Sequence, residues 1–397
     1  MPFRLVPLLS FFVAIAISAA AHAVDIGTAP GAPVYFHRAN PNKGYNDLML
    51  QTVVLRNTTD AAVTLKSLRI DVLAEDGDAA VSKTMSARSV LQQTRRFAAM
   101  EAQGLGVFLD LQVLTEGGLK KFSGADATLA SEEDMAPGAA MILSSQYFTV
   151  DFEPASVRIS AAYEDGSGHV TQKTHHLPVA EHEIWDGYVA PLKGGWSKKS
   201  APGVHSHHRF IPSNEFAVDF FQTGPEGVLD RGEKRSAEDD FGYGAPVYAV
   251  ADGEVVFAIN GEVQDPDALS RREGESIEEA RARITQNQFR RFAENFRAAA
   301  AGNMITIKHD LGDGRIEYSS YAHLKSDSVR VGVGDKIRQG DIIAEVGNTG
   351  DSTLTHLHFQ INAGPDAFFS RSLPFAFNNE KTRYIGQELG IFVTFGE

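Results

Sequence analysis

The sequence predicts a mainly all-β protein of two domains, with one helical insertion and an apolar leader. Three observations carry that reading. Short apolar or alternating runs closed by turn residues recur at a spacing of roughly ten residues between 34 and 178. A second series of strand–turn–strand patterns occupies the chain from residue 207 onward. Within that series, residues 262–301 switch to helical apolar spacing.

The leader comes first. Met1 to Arg4 gives a positive start, Leu5 to Ala20 an apolar run, and Ala21-His22-Ala23 a small-x-small cleavage site. Residues 1–23 therefore read as a signal peptide of an exported, periplasmic or secreted protein. The apolar run is short for a spanning helix and has no charged stop-transfer flank, so no integral membrane segment is expected after processing. The chain has no cysteine, hence no disulfide framework and no lipid-modified cysteine. Its formal net charge of −14 becomes −15 once Arg4 leaves with the leader (−14 − 1). That balance opposes a nucleic-acid partner and opposes binding anionic surfaces by bulk electrostatics. Lys193, Lys198, Lys199 and Arg209 cluster in sequence, and the reading given to them is a solvated loop.

Residues 24–180 predict an immunoglobulin-like β-sandwich. Leu48–Leu55, Leu65–Val72, Ala140–Leu143 and Val157–Tyr163 read as strands, separated by turns such as Asn57-Thr58-Thr59-Asp60 and Glu164-Asp165-Gly166. Val90 to Gln103 reads as a short helix. No catalytic constellation stands out here, and His175-His176 reads as a solvated pair. The expected role of this domain is positioning, or binding a cell-envelope protein partner. Residues 181–206 have linker composition, with Pro191, Gly194, Gly195, Pro202 and Gly203. Trp185 and Trp196 in or beside it imply that it packs against a domain.

Residues 207–397 form the second unit. Pro246 to Val256 and Val329 to Val346 read strand, turn, strand. The insertion between them begins at a capping box, Ser276 followed three later by Glu279, and Gly302 is its stop.

The chemistry-bearing histidines are His205, His207, His208, His323, His356 and His358; His309 reads as structural or surface. Thr355-His356-Leu357-His358-Phe359-Gln360 is the most informative run. On a strand, His356 and His358 share one face, roughly 7 Å apart. Such a pair suits zinc: one imidazole binds metal while the other works on substrate, or both bind. A purely structural pair is the alternative reading. Without cysteine, a zinc site here must use histidine and carboxylate, a shell that disfavours magnesium and calcium.

Five blocks then appear in order: Gly244-Ala245-Pro246-Val247-Tyr248-Ala249-Val250-Ala251-Asp252-Gly253, Gly302 to His309, Tyr321-Ala322-His323-Leu324, Val331 to Gly340 with Gly347-Asn348-Thr349-Gly350, and His356-Leu357-His358-Phe359. Together they resemble the lysostaphin-type (LytM-like) zinc metallopeptidases, most of which cut peptide cross-bridges or stems of bacterial peptidoglycan. The resemblance implies a β-sheet peptidase domain binding one zinc ion per chain, with peptidoglycan peptide as substrate. It implies His358 and Asp219 as metal ligands, His356 as a catalytic histidine handling the water or the transition-state charge, and His323 as the second, orienting the nucleophile or stabilising the oxyanion. Four residues before the aspartate the family usually has histidine, and here stands Glu215. His208 is therefore the expected third ligand, with His207 and then Glu215 as alternatives. Tyr321 and Asn348, with Tyr318, are candidate substrate contacts, beside a packing or turn role for each. The competing readings are a degenerate member that binds or regulates cell-wall hydrolases, and a biotin or lipoyl carrier domain, which the His-x-His pair and the missing Met-Lys-Met turn around Lys336 oppose.

Overall fold

The computed structural model describes residues 23–40, 44–124, 127–199, 207–224, 227–232, 236–265, 269–384 and 391–395. The leader up to residue 22, and His205, lie outside the described residues.

The first unit is built from β1 (Val24–Ala29), β2 (Val34–Asn40), β3 (Tyr45–Asn57), β4 (Val63–Leu73), β5 (Ala79–Ser86), β6 (Thr128–Leu129), β7 (Asp134–Met135), β8 (Ala139–Val150), β9 (Ser156–Glu164) and β10 (Val170–Ala180). β2, β3 and β8 are hydrogen-bonded neighbours, and so are β10, β9, β4 and β5; a parallel β2–β10 pairing at Val34↔Val179 joins the two groups. Their apolar faces share one core, including Leu48 and Leu55 of β3, Leu68 and Ile70 of β4, Leu143 of β8 and Ile159 of β9. Helix α1 (Ala87–Ala102) starts at Ser86, whose side chain accepts from the Ser89 amide, and buries Val90 and Leu91. Two further helices were not anticipated: α2 (Val107–Gln112) and α3 (Gly118–Ser123). They form because Leu109, Val113 and Leu119 cover a second apolar patch of Val54, Ala140 and Ile142 on the outside of β3 and β8.

The second unit contains β11 (Gly194–Lys199), β12 (Val218–Phe221), β13 (Pro246–Tyr248), β14 (Gly253–Ile259), β15 (Asn303–Asp310), β16 (Ile316–Leu324), β17 (Lys336–Ile337), β18 (Ile342–Glu345), β19 (Leu357–Asn362), β20 (Ser372–Leu373), β21 (Glu380–Tyr384) and β22 (Ile391–Phe395). The main sheet runs β17-β14-β15-β16-β19-β12-β11-β22-β21. The linker expectation for 181–206 needs correction. Gly194–Lys199 is a strand paired with β12 and β22, and Tyr188, Leu192 and Trp196 are buried in the second core. Glycine and proline set the composition, but the buried indole fixes the segment. Arg209 likewise is not a solvated loop residue; it is fully buried.

The insertion holds helix α4 (Ile277–Ala301), opened by the capping box of Ser276 and Glu279 and kinked at Asn295. Gly302 ends it with φ +63, and a Cβ there would lie 2.3 Å from Thr349 Oγ1, so the turn requires glycine.

Candidate metal centre and cleft

Period-two alternation builds the site. Val218 and Phe220 of β12, and Leu357, Phe359 and Ile361 of β19, point into the core. Asp219, His356, His358, Gln360 and Asn362 therefore take the opposite face. Strand register then sets Asp219 directly beside His358 and Ala322 on the other flank of His358. His323 follows Ala322, and regular alternation would turn it toward the core with Tyr321. Its φ of +60 breaks that alternation, and its ring lies 4.6 Å from His356 and 5.9 Å from His358. A non-glycine residue held in the left-handed region is strained, and such strain concentrates at working sites.

Hydrogen-bond partners assign the protons. His358 Nε2–H donates to Gln360 Oε1 at 2.8 Å, leaving Nδ1 bare, 3.1 Å from Asp219 Oδ1. Gln360 cannot turn round, because its amide nitrogen donates to the Ser213 and Ala367 carbonyls. His208 Nδ1–H donates to the Ala217 carbonyl at 3.3 Å, leaving Nε2 3.4 Å from Asp219 Oδ2. His356 Nδ1–H donates to the Leu354 carbonyl at 2.7 Å, leaving Nε2 3.6 Å from Asp219 Oδ1. His323 Nδ1–H donates to the Thr349 carbonyl at 2.8 Å. Bare imidazole nitrogens thus converge on one carboxylate, and acceptors facing acceptors are reconciled only by protons or a cation. Two nitrogens and a carboxylate oxygen suit zinc, and three protein ligands leave a position open.

The electrostatics agree. Burial pulls the Asp219 carboxyl up, but His356, His358 and His208 outweigh it and hold the group far below the usual carboxylate range. Burial pushes His208 down to about 4, against the pull of Asp219. Burial, then the neighbouring rings of His356 and His358, holds His323 well below an ordinary histidine. His356 is lowered, again mainly by burial. Burial would lower His358 too, yet the Asp219 carboxylate beside Nδ1 favours the protonated ring and raises it.

The third-ligand candidates separate. Glu215 is removed as a donor: it is buried and ion-paired with Arg209 at 3.1 Å. His207, His208 and Asp219 bring donor atoms within 4.8 Å of one another, a grouping that omits His358. His358 nevertheless touches Asp219 directly and is buried like His208, whereas His207 is exposed at the cleft edge. Burial and a fixed tautomer favour His208 over His207.

Other expected residues fall elsewhere. Tyr321 is not a substrate contact; it is fully buried in the core, stacked edge-on against Phe359 at 5.2 Å and accepting the Val250 amide. Asn348 lines neither cavity beside the histidines and accepts from Ser352, whose hydroxyl also reaches His356 Nδ1 at 3.1 Å. His309 is structural, bonded to the Asp252 carbonyl and to Ser319. Gln360, and Phe221 stacked on His356 at 4.9 Å, were missed. The alternation that placed the histidines would have put both on the site face.

Two cavities adjoin the histidines. One, of about 440 Å³, is lined by Asp219 and five histidine rings, His207 among them, and is walled by Leu269, Ile284 and Gln288 of the insertion. The other, of about 220 Å³, is largely apolar, lined by Phe292, Phe296, Met304 and Phe368, with Phe108 and Leu111 from α2. α4 thus walls the cleft, tied to it by Gln288 Nε2 donating to Asp351 at 2.8 Å.

Residues 291–368 match the family model described as Peptidase family M23. That segment holds His323, His356 and His358 and stops short of His208 and Asp219. An uncharacterized metalloprotease of Buchnera aphidicola subsp. Baizongia pistaciae (strain Bp) is 43% identical over 61 residues, 15% of this chain and 15% of that protein. The chain thus matches well under two thirds of that relative's length. Among solved structures, the catalytic domain of lysostaphin from Staphylococcus simulans is 22% identical, covering 45% of this chain and 88% of that one, with TM-score 0.25. A zinc-containing peptidase from Vibrio cholerae is 14% identical, covering 83% and 80%, with TM-score 0.25. Over residues 291–368 the second unit of this chain is thus similar to Peptidase family M23.

Proposed function

We infer that the chain is an exported, zinc-dependent endopeptidase that hydrolyses peptide bonds of bacterial peptidoglycan. The observation that carries this reading is the convergence of His208 Nε2, His358 Nδ1 and the Asp219 carboxylate, with His356 Nε2 and His323 alongside. Zinc held by those three residues would supply Lewis acidity that brings the pKa of water down to about seven.

The remaining work belongs to the chain. His356 carries its proton on Nδ1, so Nε2 is free to take a proton from the attacking water and return it to the leaving amine. Phe221 packed on its ring and the Leu354 carbonyl hold it in place. Neutral His323 also carries its proton on Nδ1, so at rest its other nitrogen accepts. It therefore serves first to orient the nucleophile, and it becomes an oxyanion donor only after gaining a proton. The apolar cavity between α2 and α4 offers a place for an aliphatic side chain flanking the scissile bond.

The degenerate alternative rests on the missing histidine at position 215; the His208 ring beside Asp219 supports the enzyme reading over it. The test is direct. The processed chain, reconstituted with zinc, is incubated with purified peptidoglycan, and the released fragments are read by mass spectrometry for new peptide amino termini. Less than half a zinc per chain, or a full zinc complement with no new termini, overturns the enzyme reading in favour of a binding role.

A further inference from the structure

Of the metal-binding candidates, Asp219 and His358 stand on paired strands, where ladder hydrogen bonds fix the backbone. His208 does not. It sits in a short 3-10 turn, His207–Phe210, that pairs with no strand. Its own unit gives that turn the Ile211 amide on the His208 carbonyl and the Ala217 carbonyl on the ring.

The first unit adds support of its own. Gln51 of β3 donates from Nε2 to the Arg209 carbonyl at 3.0 Å. Gln112, the last residue of α2, donates from Nε2 to the Phe210 carbonyl at 2.9 Å. The two carbonyls that follow His208 are therefore each held by a glutamine from the other unit. Both glutamines are buried, and Thr52 donates to the Gln112 carbonyl at 2.7 Å and reaches its side-chain oxygen at 3.3 Å. Arg209 adds a third fastening. Its guanidinium, fully buried, lies 5.3 Å from the Tyr147 ring of β8 and pairs with Glu215.

We propose that Gln51 and Gln112 are positioning residues for the metal centre, so that the N-terminal sandwich completes the site by locking the turn that presents His208. This rests on the reading of His208, Asp219 and His358 as ligands. Groups that orient a ligand without touching the metal typically change metal affinity by about 10–100-fold. A clamp that served only to join the two units would act on stability and leave the folded protein's affinity alone.

The test uses the full processed chain carrying Gln51→Met and Gln112→Met together, which keeps length and removes the donors. Zinc affinity is measured by competition with a chromogenic chelator, and the visible absorption of the cobalt-substituted protein reports ligand geometry. The expected result is a loss of zinc affinity of about 10–100-fold, with a cobalt spectrum displaced toward that of His208→Ala. Glu116→Gln, which removes a different contact between the units (Arg297–Glu116, 3.6 Å), should leave both readings at wild type. Wild-type affinity and spectrum in the double variant overturn the proposal. So does an equal loss in Glu116→Gln, which would make the effect one of general docking. If the double variant does not fold, Gln112→Met alone is read against the same two outcomes. A wild-type chain that takes up no zinc instead sinks the metal reading itself, and the clamp with it.

Discussion

Replacing His208 with alanine isolates the residue on which the metal centre departs from its family pattern. The structure sets the expected size of the effect. Four-ligand zinc sites bind with about 10–16 kcal/mol, so one protein ligand carries about 2.5–4 kcal/mol, or about two to three decades in affinity. No proton cost offsets that figure at neutral pH. His208 is pushed down to about 4 by burial, so its ring is already neutral and Nε2 is ready to bind. His207, exposed and outside the buried group, should matter far less. Purified His208→Ala and His207→Ala chains, titrated with zinc against a chromogenic chelator at pH 7.5, are expected to separate widely. The first should bind about 100–1,000-fold more weakly than wild type, the second within tenfold. The reasoning is refuted if His208→Ala binds within about threefold of wild type, or if His207→Ala loses as much.

His356→Ala should keep zinc and lose about 10²–10⁴-fold in turnover, because Nε2 is the proton carrier and not a ligand; His358→Ala should lose zinc as well. Metal content by atomic spectroscopy beside a peptide-release assay checks both, and retained activity in either variant contradicts the assigned roles. The metal-free protein should lose stability as pH falls from about 6.5 toward 4. His208 has its folded pKa near 4, below the ordinary 6.5, so over that window the unfolded chain binds the extra proton and gains. The ceiling for this one ring is about 3 kcal/mol. His323 and His356 act in the same direction, while His358, raised by Asp219, acts oppositely above 6.5. Urea unfolding at pH 7.5 and pH 5, compared between the wild type and His208→Ala, measures the contribution, and a pH slope unchanged by the substitution counts against it.

What the sequence made legible was local and periodic. Alternation along Thr355–Gln360 placed two histidines on one face, and the Ser276/Glu279 box marked the start of α4. What it hid was set by departures from those rules or by distant packing. Tyr321 and His323 are two apart, so a regular strand would give them one face; the left-handed φ of His323 separates them, and Tyr321 goes to the core. α2 follows Gly104 and Gly106, and α3 follows Gly117, all poor helix formers, and both stand because the outside of β3 and β8 needs covering. The glycine-rich stretch at 194 reads as linker until its tryptophan is seen buried in the second core.

The proposed shift of the third ligand from position 215 to His208 has an internal logic. A buried carboxylate at 215 needs a counter-charge, and leaving one charge of such a pair alone costs about 3–5 kcal/mol. Arg209 supplies the counter-charge, and Arg209 is the neighbour of His208. One ion pair thus occupies Glu215 and fastens the turn that carries His208, its proposed substitute. Returning histidine to position 215 would not restore the family arrangement, since it strands the buried guanidinium and frees the His208 turn together. Position 215 and the turn at 208 are one structural unit, closed from outside by Gln51 and Gln112. In the proposed site, the acid at the usual ligand position helps to hold the histidine that would take its place.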